Sequence, residues 1–203
     1  MEISLTSARG WGVSWLAAEP AYMQRGSHAL SAGGDVWLVD PVDGDGLGDL
    51  IAPLGTVRGV LQLLDRHPRD CAAMAERFGA PHLVVPESGI PGAPFTVIPV
   101  AGHRWWREVA LWWPEHRALV VAEALGTAPY YLASGATVGI HPMMRPVPPR
   151  VLDGLGPLHL LPGHGAPVSG DQVAGAIHAA LARSRRDIPG VLRAMVTSRR
   201  HSS

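Results

Sequence analysis

The sequence predicts an α/β fold, and three observations carry that reading. Short apolar runs of strand length recur along the chain, bounded by Gly, Pro and Asp. One of them, 60–64 (VLQLL), is followed by a helix-like segment and a second apolar run, the β–loop–α–β arrangement that usually pairs strands in parallel. Polar residues able to do chemistry stand just after several runs, where α/β proteins collect functional groups.

The elements follow in order. Residues 27–32 and 35–39 flank Gly33-Gly34, a two-residue hairpin signal. Asp40-Pro41 ends the second strand, the acidic and glycine-rich DGDGLGD follows, and a short helix is expected around 47–54. The run 60–64 breaks at Asp65–Asp70, and CAAMAERFGA reads as a helix with Asp70 as N-cap and Gly79 as its stop. Strands are expected at 82–86, 95–100, 108–113 and 117–122, with Pro114-Glu115-His116 turning the last pair. The Gly/Pro-rich stretch 126–149 has no clear period, and a loop of that length usually covers something. A helix at 150–155 and a strand at 157–161 precede PGHGAPVSG. A helix beginning near Asp171 then turns Val173, Ile177 and Leu181 to one face. A last helical piece starts at Pro189 and carries Val191, Leu192 and Met195.

Length and composition fit one domain over 1–203, with 47% apolar and 17% charged residues and a basic helical tail from about 183. All 17 basic residues are arginine, and asparagine is absent too. Schiff-base lysine chemistry, a P-loop lysine and N-glycosylation sequons are therefore excluded. A single cysteine, Cys71, excludes an intramolecular disulfide framework and an all-cysteine zinc cluster. The net charge of zero conceals an acidic body and a tail with six arginines against Asp187. Such a tail can touch nucleic acid, but arginines there also suit a helix C-terminus, and no nucleic-acid partner is expected. No apolar run is long enough for a membrane helix and the first residues lack a signal-peptide layout, so a cytoplasmic protein is expected. No G-x-S-x-G elbow, EF-hand spacing or dinucleotide fingerprint is present.

The candidates for chemistry are the Asp65–Cys71 loop, His103 in AGHRWW, Glu123 in VVAEAL and His164 in LLPGHG. Histidine and carboxylate suit zinc, iron or manganese. Each has a plain alternative: Asp70 as a helix cap, Glu123 as an exposed strand end, any one histidine as an ordinary hydrogen-bonded residue. Trp105 and Trp106, directly after His103, could wall an apolar substrate pocket with Tyr130, Tyr131, His141, Met143 and Met144 as a lid. Core packing is the plain reading of the tryptophans, and a contact between two copies of the chain is another.

Taken in order, GGDVWLVDP, VLQLLDRHPRDC, GHRWWREVALWWPEHRALVVAEAL and LLPGHGAPVSG resemble the metallo-β-lactamase superfamily over nearly the whole chain. The resemblance implies a four-layer αββα sandwich with a metal site at one edge. VLQLLDRHPRDC falls where the family has H-x-H-x-D-H. An ungapped match puts Arg66, Pro68, Asp70 and Cys71 at the ligand positions, and a shift by one puts Asp65, His67, Arg69 and Asp70 there. Neither gives a full set. His103 matches the third histidine, Glu123 the bridging aspartate and His164 the last histidine.

Two functions follow from the resemblance. In the first, Asp70, Glu123 and His164, joined by His103, His67 or Cys71, hold one ion, zinc or iron. The protein then hydrolyses a small ester, thioester, lactone or phosphoester, with Asp70 and His103 as catalytic groups. In the second, Arg66 or Arg69 forks onto Asp70 and Glu123 in place of a cation, giving a metal-free member kept for binding or assembly.

Overall fold

The structure, a computed structural model, describes residues 1–18 and 23–191. Its first sheet has six strands in chain order: β1 (Ile3–Arg9), β2 (Gly12–Ala17), β3 (Gly26–Ala32), β4 (Asp35–Val39), β5 (Thr56–Gln62) and β6 (His82–Val84). Neighbours from β1 to β4 are antiparallel, whereas β4, β5 and β6 run parallel. Parallel neighbours need crossovers. Helix α1 (Leu47–Ile51), continued by a 3-10 turn at Ala52–Leu54, and helix α2 (Cys71–Phe78) supply them. Gly33 and Gly34 both have positive φ, 60° and 85°, which a tight two-residue hairpin requires. Gly79 ends α2 at φ 61°, as its position in the sequence predicts.

The second sheet begins with β7 (Thr96–His103), β8 (Trp106–Trp113) and β9 (Ala118–Val121). A two-stranded ribbon, β10 (Leu125–Gly126) and β11 (Gly139–Ile140), comes next in the chain. Strands β12 (His159–Pro162) and β13 (Val168–Ser169) rejoin the sheet, which runs β13-β12-β9-β8-β7, with β12 parallel to β9. Helix α3 (Gln172–Arg183) follows and buries Val173, Ile177 and Leu181, the face read from the sequence.

Three apolar clusters set the layers. Leu30, Trp37 and Leu61 of the first sheet meet Val109, Leu111, Trp113 and Val120 of the second. The other face of the first sheet, with Trp15, Leu38 and Val60, packs on Leu47 and Ile51 of α1 and Met74 of α2. The other face of the second, with Leu119, Val121 and Leu160, packs on α3. Trp112 and Trp113 accordingly serve opposite faces, as strand alternation demands.

Several expectations are corrected. The helix expected at 150–155 is a single 3-10 turn, Arg150–Leu152; Pro148 and Pro149 before it and Gly154 after it leave no room for a longer ladder. The strands β1 and β2 precede the first strand predicted from the sequence, and β10 and β11 give structure to the 126–149 stretch. The last helical piece, expected at Pro189, is helical to Val191, while Leu192 and Met195, with Arg193, Arg199 and Arg200 of the tail, lie outside the described residues. Among the described residues no helix is long and apolar enough to cross a membrane.

Candidate functional site

The parallel strands β4 and β5 end side by side in the first sheet, as β9 and β12 do in the second. Asp40 follows β4, the Asp65–Cys71 loop follows β5, Glu123 follows β9 and His164 follows β12. Strand ends from two packed sheets thus meet at one edge.

Long-range hydrogen bonds shape the loop after β5. The Leu63 N–H donates to Asp40 Oδ1 at 3.0 Å, and Gln62 Nε2 donates to the carbonyls of Leu64 and Asp65. Arg69 then crosses the gap between sheets. Its Nη1 donates to the carbonyls of Gly26 and Asp40, and its Nη2 to that of Gly163 at 2.7 Å. Asp40 and Arg69 both hold left-handed backbone, φ 42° and 41°, which is uncommon outside glycine and concentrates at sites of function.

This framework turns His67 inward. Its Nε2 lies 2.9 Å from Glu123 Oε1 and 3.3 Å from His164 Nε2, and its Nδ1 lies 3.6 Å from Asp40 Oδ2. That last separation is an ion-pair contact, too long for a hydrogen bond. His164 Nδ1 is 2.8 Å from the Met23 carbonyl, an acceptor only, so Nδ1 carries the proton and the Nε2 lone pair faces Glu123 Oε1 at 3.8 Å. One ligand atom from each of His67, Glu123 and His164 falls within 4.8 Å of the others.

Charged and polar neighbours complete the cluster. Arg66 Nη2 donates to Glu123 Oε2 at 3.0 Å, with its guanidinium 3.7 Å over the Trp106 ring. His141 Nδ1 accepts from the Met143 N–H, so its Nε2 carries the proton, and faces Glu123 Oε2 at 3.7 Å. The fully buried Glu108 anchors the backbone at Glu123: Oε1 accepts from the N–H groups of Glu123 and Ala124, and Oε2 accepts from Trp106 Nε1. The Tyr131 ring stacks on that of His164, and its buried hydroxyl has no partner among the described residues.

Electrostatics follow from these contacts. Burial alone would lower the His67 pKa, but the Asp40 and Glu123 carboxylates outweigh it and raise it. Burial would raise Glu123, yet its hydrogen bond and ion pair with His67, with His141 and Arg66 adding, bring it down to about 2. His164 falls to about 4 through burial first and the Arg69 and His67 charges second. Burial likewise lowers His141 to about 4.

The structure brings His67, Glu123 and His164 together, with Arg66, Trp106 and His141 against them and Tyr130 packed on His141. Other predicted site residues stand elsewhere. Asp70 stands at the N-terminus of α2, but its carboxylate makes no cap hydrogen bond there and accepts the Asp43 N–H at 2.8 Å instead of facing Glu123. Cys71 is buried in the core beneath α2, where desolvation pushes its thiol pKa up and disfavours a thiolate ligand. His103 is exposed at the β7–β8 hairpin tip, where the two strands turn, and its ring stacks on Trp105. Arg69 bonds backbone carbonyls rather than a carboxylate, so of the two cation-substituting arginines only Arg66 reaches Glu123. Asp40 and Glu108 were not sequence candidates for the site, and Tyr131, expected in a lid over the pocket, instead stacks on His164. Asp40 carried a signal, ending a predicted strand just before a proline, but Glu108 reads as one more strand residue.

No family sequence model matches the chain, and no curated protein matches it either. Solved structures do. The DIM-1 metallo-β-lactamase is similar at 13% identity, over 93% of this chain and 97% of that one, with a TM-score of 0.59. A metallo-β-lactamase from Erythrobacter litoralis is similar at 12% identity, over 91% and 93%, with a TM-score of 0.61. The chemotaxis sensor ODP, solved as a peroxy diiron species, is similar at 12% identity, over 88% and 94%, with a TM-score of 0.56. The chain has the metallo-β-lactamase fold.

Proposed function

We propose that the chain binds one divalent metal ion through His67, Glu123 and His164 and hydrolyses an ester-type bond, in a small ester, thioester, lactone or phosphoester. One observation carries the reading: the three ligand atoms converge, and each histidine is held from behind, His67 by Asp40 and His164 by the Met23 carbonyl. The Met23 carbonyl fixes the tautomer and aim of His164, and the Asp40 charge stands behind His67 at ion-pair range. Two imidazoles and a carboxylate suit zinc or iron, and three protein ligands leave a position open. A second ion finds no donor set among the described residues, since Asp70, Cys71 and His103 face elsewhere. The similar structures, two metallo-β-lactamases and a diiron protein, support the reading at the level of fold.

When bound, such an ion supplies Lewis acidity and activates water at neutral pH. The chain supplies the rest. Asp40 orients His67, and Glu108 fixes the backbone that carries Glu123. Arg66 spends one N–H on Glu123 and keeps others for an oxygen of the substrate. His141, neutral because of its burial, turns its Nε2–H toward Glu123 Oε2 at 3.7 Å, beyond hydrogen-bond range. Across the reaction the water oxygen adds to the acyl carbon or phosphorus, the bond to the leaving oxygen or sulfur breaks, one water proton goes to the leaving group and the other leaves with the acid that forms.

A second reading rests on the Arg66–Glu123 ion pair and the His67 charge between two carboxylates. Together they neutralise the cluster without a metal and suit a binding role. Elemental analysis of protein purified without chelator separates the two. About one equivalent of zinc, iron or manganese, lost in Glu123→Gln and in His164→Ala, is expected. Under a tenth of an equivalent, with no change in melting temperature on adding metal, overturns the metal reading. A stability loss confined to Arg66→Met would then mark the arginine as the structural cation.

A further inference from the structure

A groove of about 500 Å³ opens beside the cluster, between the β7–β8 hairpin and the 3-10 turn at Pro142–Met144. Its volume lies within the range of small-molecule sites. Trp105, Trp106, Met143, Met144 and Val147 form part of its wall, and among the described residues no acidic side chain and one arginine, Arg150, line it. Trp105, Met143 and Val147 are 60%, 59% and 79% exposed, an unusual density of solvated apolar surface.

The groove and the cluster share the Trp106 side chain as a common wall. Trp106 lines the groove, yet its ring also carries the Arg66 guanidinium and meets the His141 ring edge-on. The turn that bears Met143 and Met144 starts at His141, whose carbonyl accepts the Met144 N–H and whose Nδ1 accepts that of Met143. Whatever fills the groove therefore ends at Trp106, within reach of Arg66.

We propose that this groove holds an apolar acyl arm of the substrate, and that Trp106 and Arg66 direct the scissile carbonyl of that arm to the cluster. The substrate class is then an ester, thioester or lactone with a medium-length aliphatic arm, uncharged along its length. The proposal rests on the hydrolase reading above for the chemistry and on the groove alone for the binding. Flexible Met143 and Met144 suit an aliphatic chain, since thioether side chains repack around irregular apolar shapes.

Two measurements test it separately. The metal-reconstituted protein is assayed on p-nitrophenyl acetate and p-nitrophenyl octanoate. Each methylene taken from water favours binding about threefold to fourfold, so the octanoate is expected to exceed the acetate by at least about tenfold in kcat/KM. Trp105→Ala and Val147→Asp, both in the groove wall and solvent-facing, should bring the two esters to within about twofold by lowering the octanoate rate. Independently, octanamide is titrated into the metal-free protein and the Trp105 indole resonance followed. A saturable shift that disappears in Val147→Asp is expected. Equal turnover of both esters with no shift overturns the groove and leaves the hydrolase reading standing. A saturable shift without turnover of either ester sinks the hydrolase reading and leaves the groove as a binding site.

Discussion

His67 follows β5 and His103 ends β7, and each matches a position where metal ligands are expected. His67 is buried, its Nε2 against Glu123 and His164 and its Nδ1 toward Asp40. His103 is exposed and stacked on Trp105. The difference lies in what stands behind the ring. A strand end delivers an imidazole to an edge, but a fixed partner for the second nitrogen decides whether that imidazole is aimed at anything.

The largest way to break this comparison acts through Glu108. Replacing it with Ala leaves the N–H groups of Glu123 and Ala124 and the Trp106 indole without their acceptors in a buried setting. Each unsatisfied donor costs about 1–3 kcal/mol, partly offset by losing a desolvated carboxyl. A loss of about 3 kcal/mol in urea unfolding is expected for Glu108→Ala. If His103→Ala costs as much, the hairpin tip belongs to the organised site and the contrast fails.

Asp40 gives the next effect. Asp40→Asn keeps the size and the acceptor for the Leu63 N–H but removes the charge behind His67. Outer-partner changes of this kind typically weaken metal binding by about 10–100-fold. Competition of the protein with a chelating dye reads that shift. Unchanged affinity would show that His67 needs no orienting group.

A third histidine sharpens the contrast through pH. His28 is as buried as His67, but it faces Ser14 Oγ and the Pro162 carbonyl rather than carboxylates. Burial lowers its pKa to about 3. The folded state therefore keeps His28 neutral, while the unfolded chain takes up a proton near the ordinary value of about 6.5. Its contribution is complete above that value and falls as pH drops toward 3, at about 1.4 kcal/mol per pH unit. His67, raised instead, works in the opposite direction. The difference between wild type and His28→Gln in unfolding free energy, at pH 7 and pH 5, isolates the His28 share. Wild type should lose about 2 kcal/mol more than the variant over that range. Equal losses would mean that His28 is not held neutral.

The same contrast explains what could be read from the sequence. The Gly33-Gly34 hairpin, the β5–α2–β6 unit, the Gly79 stop and the Val173/Ile177/Leu181 face are signalled within a few residues, so local pattern finds them. Strand β2, buried at every position, has no alternation to read, and β10 and β11 are two residues each. The site depended on the Asp65–Cys71 loop, and nothing local says which side chain turns inward. That choice is made by Asp40 on the Leu63 N–H and by Arg69 across carbonyls of three distant residues. Hence Asp70, which any local reading favours as both cap and ligand, faces Asp43, and His67 takes the inner position. His141 enters from an aperiodic stretch for the same reason: the β10–β11 ribbon that places it is visible only once the chain has folded.

The smallest expected effect tests the exposed arm of the comparison. His103 and Trp105 stack at 14° between ring planes with their centroids 5.6 Å apart, an arrangement that in water adds little to stability. His103→Ala should change unfolding free energy by less than about 0.5 kcal/mol, the usual range for surface substitutions away from special features. It should also leave the bound metal equivalent unchanged. Trp105→Ala should be similarly mild for folding, yet it should act on the octanoate-to-acetate ratio, because its ring walls the groove. The two variants therefore divide one stacked pair by function. If His103→Ala instead releases the metal, the hairpin folds over the cluster in solution and His103 rejoins the ligand set. If Trp105→Ala destabilises the fold by several kcal/mol, its exposed ring is a structural element and the groove loses its main wall for another reason.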